Sequence, residues 1–118
     1  MTIDELIEKI TSSPGKVEFA EVIATIDKHY DYTPTQFSNG TGDRVVVNEA
    51  GANEGSCKIF AFAKLNHLSP PQTLACFGTY YRNDVLKHLE GTDHANIRNF
   101  MQSGWAGIKF EGEALQPK

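Results

Sequence analysis

Two cysteines, four histidines and a loop dense in Asn, Glu and Ser carry the side chains able to do chemistry in this chain. Cys57 has the most suggestive setting. It follows Gly55-Ser56 and precedes Lys58, where a polar stretch gives way to the apolar run Ile59–Ala63. Ser56 can cap a helix starting there by accepting a first-turn amide. A thiol just inside that helix would feel the positive end of its dipole and a neighbouring lysine, both of which favour the thiolate. A cysteine nucleophile also needs a base and an oxyanion site. His94 is the candidate base and Asp93 the candidate orienting group, for a cysteine-dependent acyl transferase or hydrolase. The plainer reading of Cys57 is a small residue buried because it packs well. For His94 it is a hydrogen-bonded histidine where a helix begins.

The loop Asn48–Ser56 (NEAGANEGS) offers a different chemistry. Asn48, Glu49, Asn53 and Ser56, set around Gly51 and Gly55, can hold a small polar ligand through side chains and exposed amides. Glu49 and Glu54 disfavour phosphate there. Tyr81 and Trp105 add amphipathic aromatic surface suited to an interface. Against this stands a turn-rich loop whose Asn and Gly residues serve backbone geometry, with the aromatics in the core. A metal site drawn from Cys57, Cys76, His88 and His94 fails at its most specific feature. The cysteines are 19 positions apart, where a zinc half-site wants two to four. Neither a metal nor a cofactor is expected.

These residues must be positioned by a mainly helical scaffold. Thr2 and Glu5 form a capping box before Ile3, Leu6, Ile7 and Ile10, which predicts a helix over 3–12. Phe19, Val22, Ile23 and Ile26 repeat the spacing from about Glu18 to His29. Residues 30–48 read as loop, with one β-branched stretch, Arg44–Val47, able to form a strand. The third helix, 56–65, has no polar face at its centre and belongs in the middle of the fold. Ser69, Pro70 and Gln72 open a fourth. Thr92 or Asp93 caps a fifth, running to about Gln102 and closed by Gly104. Residues 107–111 alternate like a strand and are the expected partner of 44–47. The fold expectation is a mainly α, compact single domain over 1–118. About five helices surround the buried helix 56–65, with at most one short strand pair (44–47 with 107–111), and residues 1–2 and 112–118 fray.

Composition narrows the function classes. At 118 residues the chain reads as one domain, and 40% apolar with 22% charged residues is globular. A net charge of −4 argues against a nucleic-acid partner. The longest apolar run is far below the ~20 residues needed to span a bilayer. Two cysteines make no disulfide framework.

Several ordered blocks resemble the HopJ type III effector family. They are Tyr30-Asp31-Tyr32-Thr33-Pro34-Thr35, Asn48-Glu49-Ala50-Gly51 and Gly55–Phe62. Further on come Thr73–Gly78 with Tyr80-Tyr81-Arg82, Gly91–His94 with Asn96–Met101, and Gly104–Ile108. The likeness covers nearly the whole chain. It implies a bacterial protein of a family named for an exported effector, and it carries no activity and no catalytic residues. The expected function is a small-ligand or protein-binding module using the 48–56 loop. The alternatives are the Cys57–His94 enzyme and a secreted effector acting by contact with a host protein. The partner is a small polar ligand or a protein, with no nucleic acid and no membrane. Asp4, Glu5 and Glu8 sit inside a helix built to fold, unlike a Ser-rich export signal. The expected location is therefore the bacterial cytoplasm, with secretion through a type III system as the alternative.

Overall fold

The computed structural model describes all 118 residues. The first, second and fourth helices begin within a residue of where the sequence puts them. Helix α1 (Ile3–Ser12) carries the Thr2–Glu5 capping box and buries Leu6 and Ile10. Helix α2 (Phe19–His29) buries Val22 and Ile26. After the strands of the middle segment come α3 (Glu54–Leu65) and α4 (Pro70–Ala75), the latter with its Ser69–Gln72 capping box formed. A π-helical turn, Tyr80–Val85, leads to α5 (Ala95–Ser103). Gly104 ends α5 at φ 58°, a backbone region open to glycine.

Between and after these lie five strands: β1 (Tyr30–Tyr32), β2 (Phe37–Asn39), β3 (Val46–Asn48), β4 (Lys109–Phe110) and β5 (Leu115–Pro117). They make two antiparallel sheets, β1–β5 and β3–β2–β4. The expectation of a mainly α domain with at most one strand pair is therefore corrected: the fold is mixed α/β. The two predicted strands exist, but they do not touch each other. Strand β2 lies between them, with Phe37 opposite both Asn48 and Phe110. Its sequence, Phe-Ser-Asn, is too short to show alternation, and without it the two flanking strands read as each other's partners.

The tail expected to fray is also corrected. Leu115 pairs with Tyr32 and Pro117 with Tyr30. Ala114 and Leu115 are buried, so their apolar area holds the strand down. The two ends of the chain meet at His29. Its Nε2 lies 3.2 Å from the Met1 carbonyl, and its own carbonyl accepts from the Lys118 amide at 3.1 Å.

Helix α3 runs through the middle, as its apolar composition requires. Ile59–Ala63 are all buried. Phe60 is the hub, with ring centroids of Phe100 at 5.1 Å, Phe77 at 5.4 Å, Phe37 at 5.9 Å and Trp105 at 6.5 Å. These rings come from β2, α5, the end of α4 and the segment after α5. They fix where the starts of α3 and α5 stand relative to each other.

Candidate functional site

Helix α3 starts two residues earlier than Ser56 suggested. Its N-cap is Asn53, in the left-handed region at φ 50°, and the Asn53 side chain caps nothing. Instead its amide Nδ2 donates to Asn48 Oδ1 at 2.7 Å. Helix α5 begins in the same way. Its N-cap is His94 at φ 52°, again without a side-chain cap, so neither Thr92 nor Asp93 plays that part. The His94 ring turns to Asp84, with Nε2 at 3.1 Å from Oδ2. Left-handed residues other than Gly cost about 1–3 kcal/mol each and persist where surrounding structure dictates them. Here tertiary bonds hold both.

A network of buried amides ties the two starts together. Asn48 Nδ2 donates to Asn96 Oδ1 at 3.0 Å, and Asn96 Nδ2 returns to Asn48 Oδ1 at 2.9 Å. Asn39 Nδ2 donates to the Asn96 carbonyl and to Oδ1, at 2.8 and 3.1 Å. The network thus joins β2, β3, the start of α3 and the first turn of α5. Asn39, Asn48 and Asn96 are at most 6% exposed, so each bond is made in a poorly screened interior. Sequence reasoning placed Asn48 and Asn53 in the site but missed Asn39 and Asn96. Asn39 precedes a Gly and reads as a turn residue; the overlooked signal was an Asn on the inward face of α5, beside Ile97.

The two helix starts face one cleft of about 460 Å³. Its polar wall comes from Asn53, Ser56, Tyr80, His94 and Asn96, and its apolar wall includes Phe19, Phe77 and Ile97. Gly55 also lines it, and a side chain there would collide with the Phe19 ring, 2.8 Å from an added Cβ. The amides of Gly55, Ser56, Asn96 and Ile97 belong to first helical turns and donate to no acceptor within the chain. No carboxylate, lysine or arginine lines the cleft. It therefore presents amide donors, two hydroxyls and one imidazole, a set suited to acceptor oxygens.

The other predicted site residues scatter. Cys57, expected at a thiolate-favouring helix end, sits a turn further in and is 1% exposed. Its sulfur lies 3.6 Å from the Thr35 carbonyl. Burial pushes its pKa up, outweighing the pull of Lys58. The dipole argument is thus overturned by desolvation. No hydrogen bond joins Cys57 to His94. Beside Cys57, burial likewise raises the Tyr32 phenol, whose oxygen has no hydrogen-bond partner. Asp93 is 3.7 Å from His94 but is held mainly by Arg98, at 2.7 Å, which lowers its carboxyl pKa. Glu49 is exposed in the loop, outside the cleft lining. Tyr81 packs against the core, and Tyr80 takes its place in the cleft. Trp105 donates to the Leu68 carbonyl at 3.0 Å and packs on Phe100, away from the cleft. No group of three or more His, Cys, Asp or Glu stands close enough to hold a metal ion. No helix is long and apolar enough to cross a membrane.

Comparison with known proteins shows the family and a similar fold. A crystal structure described as that of an unknown-function protein, VPA0580, is similar over 100% of this chain and 95% of that one. The two are 51% identical, with a TM-score of 0.94. No curated protein matches. The family model described as HopJ type III effector protein matches residues 3–115. The chain belongs to the HopJ type III effector family.

Proposed function

We infer that the protein is a binding module, and that the cleft between the first turns of α3 and α5 receives a small ligand bearing a carboxylate or phosphate group. One observation carries this reading: two helix N-termini, neither capped by a side chain, open onto the same cleft. Free first-turn amides and the positive ends of two dipoles favour anionic oxygen. Glu49 and Glu54, which weighed against phosphate in the sequence, are not among the residues lining the cleft. Titration of the 15N-labelled protein with acetate and with inorganic phosphate tests it. The amides of Gly55, Ser56, Asn96 and Ile97 should shift in a saturable way with at least one of the two. Failure of both anions to move them rejects the reading.

The description of the family favours a second reading, concerning where the protein acts: export through a type III system. Helix α1 is folded, with Leu6 and Ile10 fully buried, so export would require its unfolding. Fusion of residues 1–50 to a translocation reporter decides between export and residence in the bacterial cytoplasm. Absence of secretion-dependent signal removes the export reading.

A further inference from the structure

His94 enters the cleft with its two ring nitrogens in different situations. Nε2 faces Asp84 Oδ2 at 3.1 Å, with Asp93 Oδ2 at 3.7 Å, and Asp84 is not part of the cleft lining. Nδ1 has no hydrogen-bond partner in the chain and does not cap α5. The ring packs against Tyr80 in a tilted arrangement, with centroids 5.3 Å apart. A carboxylate on one imidazole nitrogen draws the proton to that nitrogen and leaves the other as an acceptor.

The geometry points to Asp84 as a positioning residue that holds His94 in the Nε2–H form, which makes Nδ1 the basic acceptor of the cleft. The ligand then carries a hydrogen-bond donor close to its acidic group: a small α-hydroxy or α-amino acid in place of a simple carboxylate. This rests on the binding reading above. The chain itself supplies the proximity argument. His94 directly precedes the first-turn amides of α5, so a short molecule can give its carboxylate to those amides and its donor to Nδ1. The Asn96 side chain is occupied in the buried network, which leaves His94 as the side-chain acceptor beside the first turn of α5. A donor lost against a partly desolvated acceptor costs about tenfold in affinity.

The test has two readouts. Long-range 15N–1H spectra of the unliganded protein should show His94 as the Nε2–H tautomer. An Nδ1–H tautomer overturns the proposal. Titrations with acetate, glycolate and glycine, followed at the Gly55, Ser56, Asn96 and Ile97 amides, give the second. Glycolate or glycine should bind about tenfold more tightly than acetate, and comparison of those two tells whether the donor is hydroxyl or ammonium. Asp84→Asn, at a half-exposed position, should mix the tautomers and shrink the preference while acetate binding stays. His94→Phe should abolish the preference, with its amide spectrum reporting an intact fold. Equal binding of all three compounds by the native protein defeats this proposal and leaves the binding module standing. If no carboxylate or phosphate shifts the four amides, both fall together.

Discussion

The two well-capped helices, α1 and α4, and the two that start from a left-handed cap residue, α3 and α5, divide the molecule into scaffold and site. Thr2 and Ser69 each accept an amide from the residue three positions on, and Glu5 and Gln72 reach back to the cap amides. Every bond there is local. At α3 and α5 the cap residues adopt left-handed backbone, and their side chains turn away from the helix to preceding segments, Asn53 to Asn48 of β3 and His94 to Asp84. Local satisfaction is given up, and first-turn amides stay open to the cleft. The lesson is that a helix start can be stabilised by its own sequence or by the fold around it, and only the second leaves it free to bind.

The strongest way to break this contrast is Asn96→Ala. It removes the centre of the amide network: Asn48 Nδ2 loses its 3.0 Å acceptor, Asn48 Oδ1 loses one of its two donors, and Asn39 keeps only the backbone carbonyl of residue 96. Urea unfolding should show a loss of about 2–4 kcal/mol. The same change at an exposed α1 residue such as Glu8 should do almost nothing.

Alkaline pH sharpens the contrast between the two faces of the α3 first turn, because Cys57 looks into the core where Ser56 looks into the cleft. Burial raises the Cys57 thiol and pushes Cys76 up to about 12 from an ordinary 9.0. The folded state then holds protons that the unfolded chain releases. Stability is retained below pH 9 and falls as pH rises from there towards 12, by roughly 1 kcal/mol per pH unit for one such thiol. Cys76→Ala should flatten that decline in pH-dependent melting curves. Iodoacetamide should label native Cys57 more slowly than free cysteine at pH 8, and equal rates would contradict its burial.

Next in size is the loss of a local cap. Thr2→Ala or Ser69→Ala should each cost about 1 kcal/mol in thermal unfolding and leave the cleft amides unmoved. Smallest is Ser56→Ala. Ser56 is not a cap, so stability should change by less than about 0.5 kcal/mol, while the affinity for acetate or phosphate falls. A loss near 1 kcal/mol would mean that Ser56 caps α3 after all.

These differences also explain what the sequence made legible. The capped helices announce themselves through patterns four residues long. The run from Ile59 to Ala63 places α3 at the centre without ambiguity. Strands such as Tyr30–Tyr32 and Phe37–Asn39 carry no such mark, because three residues cannot display a period of two, and β5 and β4, which pair with them, lie far along the chain. For the candidate site, the stretch around Asn53 and Ser56 and the position of His94 were readable. Their assembly was not: a buried Asn looks like a turn former in sequence, and the Asn39–Asn48–Asn96 network exists only through long-range pairing. Cys57 misled because the helix dipole can be read from sequence and desolvation cannot.

Met1 and Lys118 both meet His29. With residues 1 and 118 fastened to one residue, the backbone is nearly a ring. A short flexible bridge could join those ends, and a new opening could be cut at the exposed Pro14–Lys16 turn. Such a circular permutant would keep every hydrogen bond of the amide network and the order of its five strands, while α1 would become the last element made instead of the first. It would also move any fused tag from beside β1 and β5 to the link between α1 and α2.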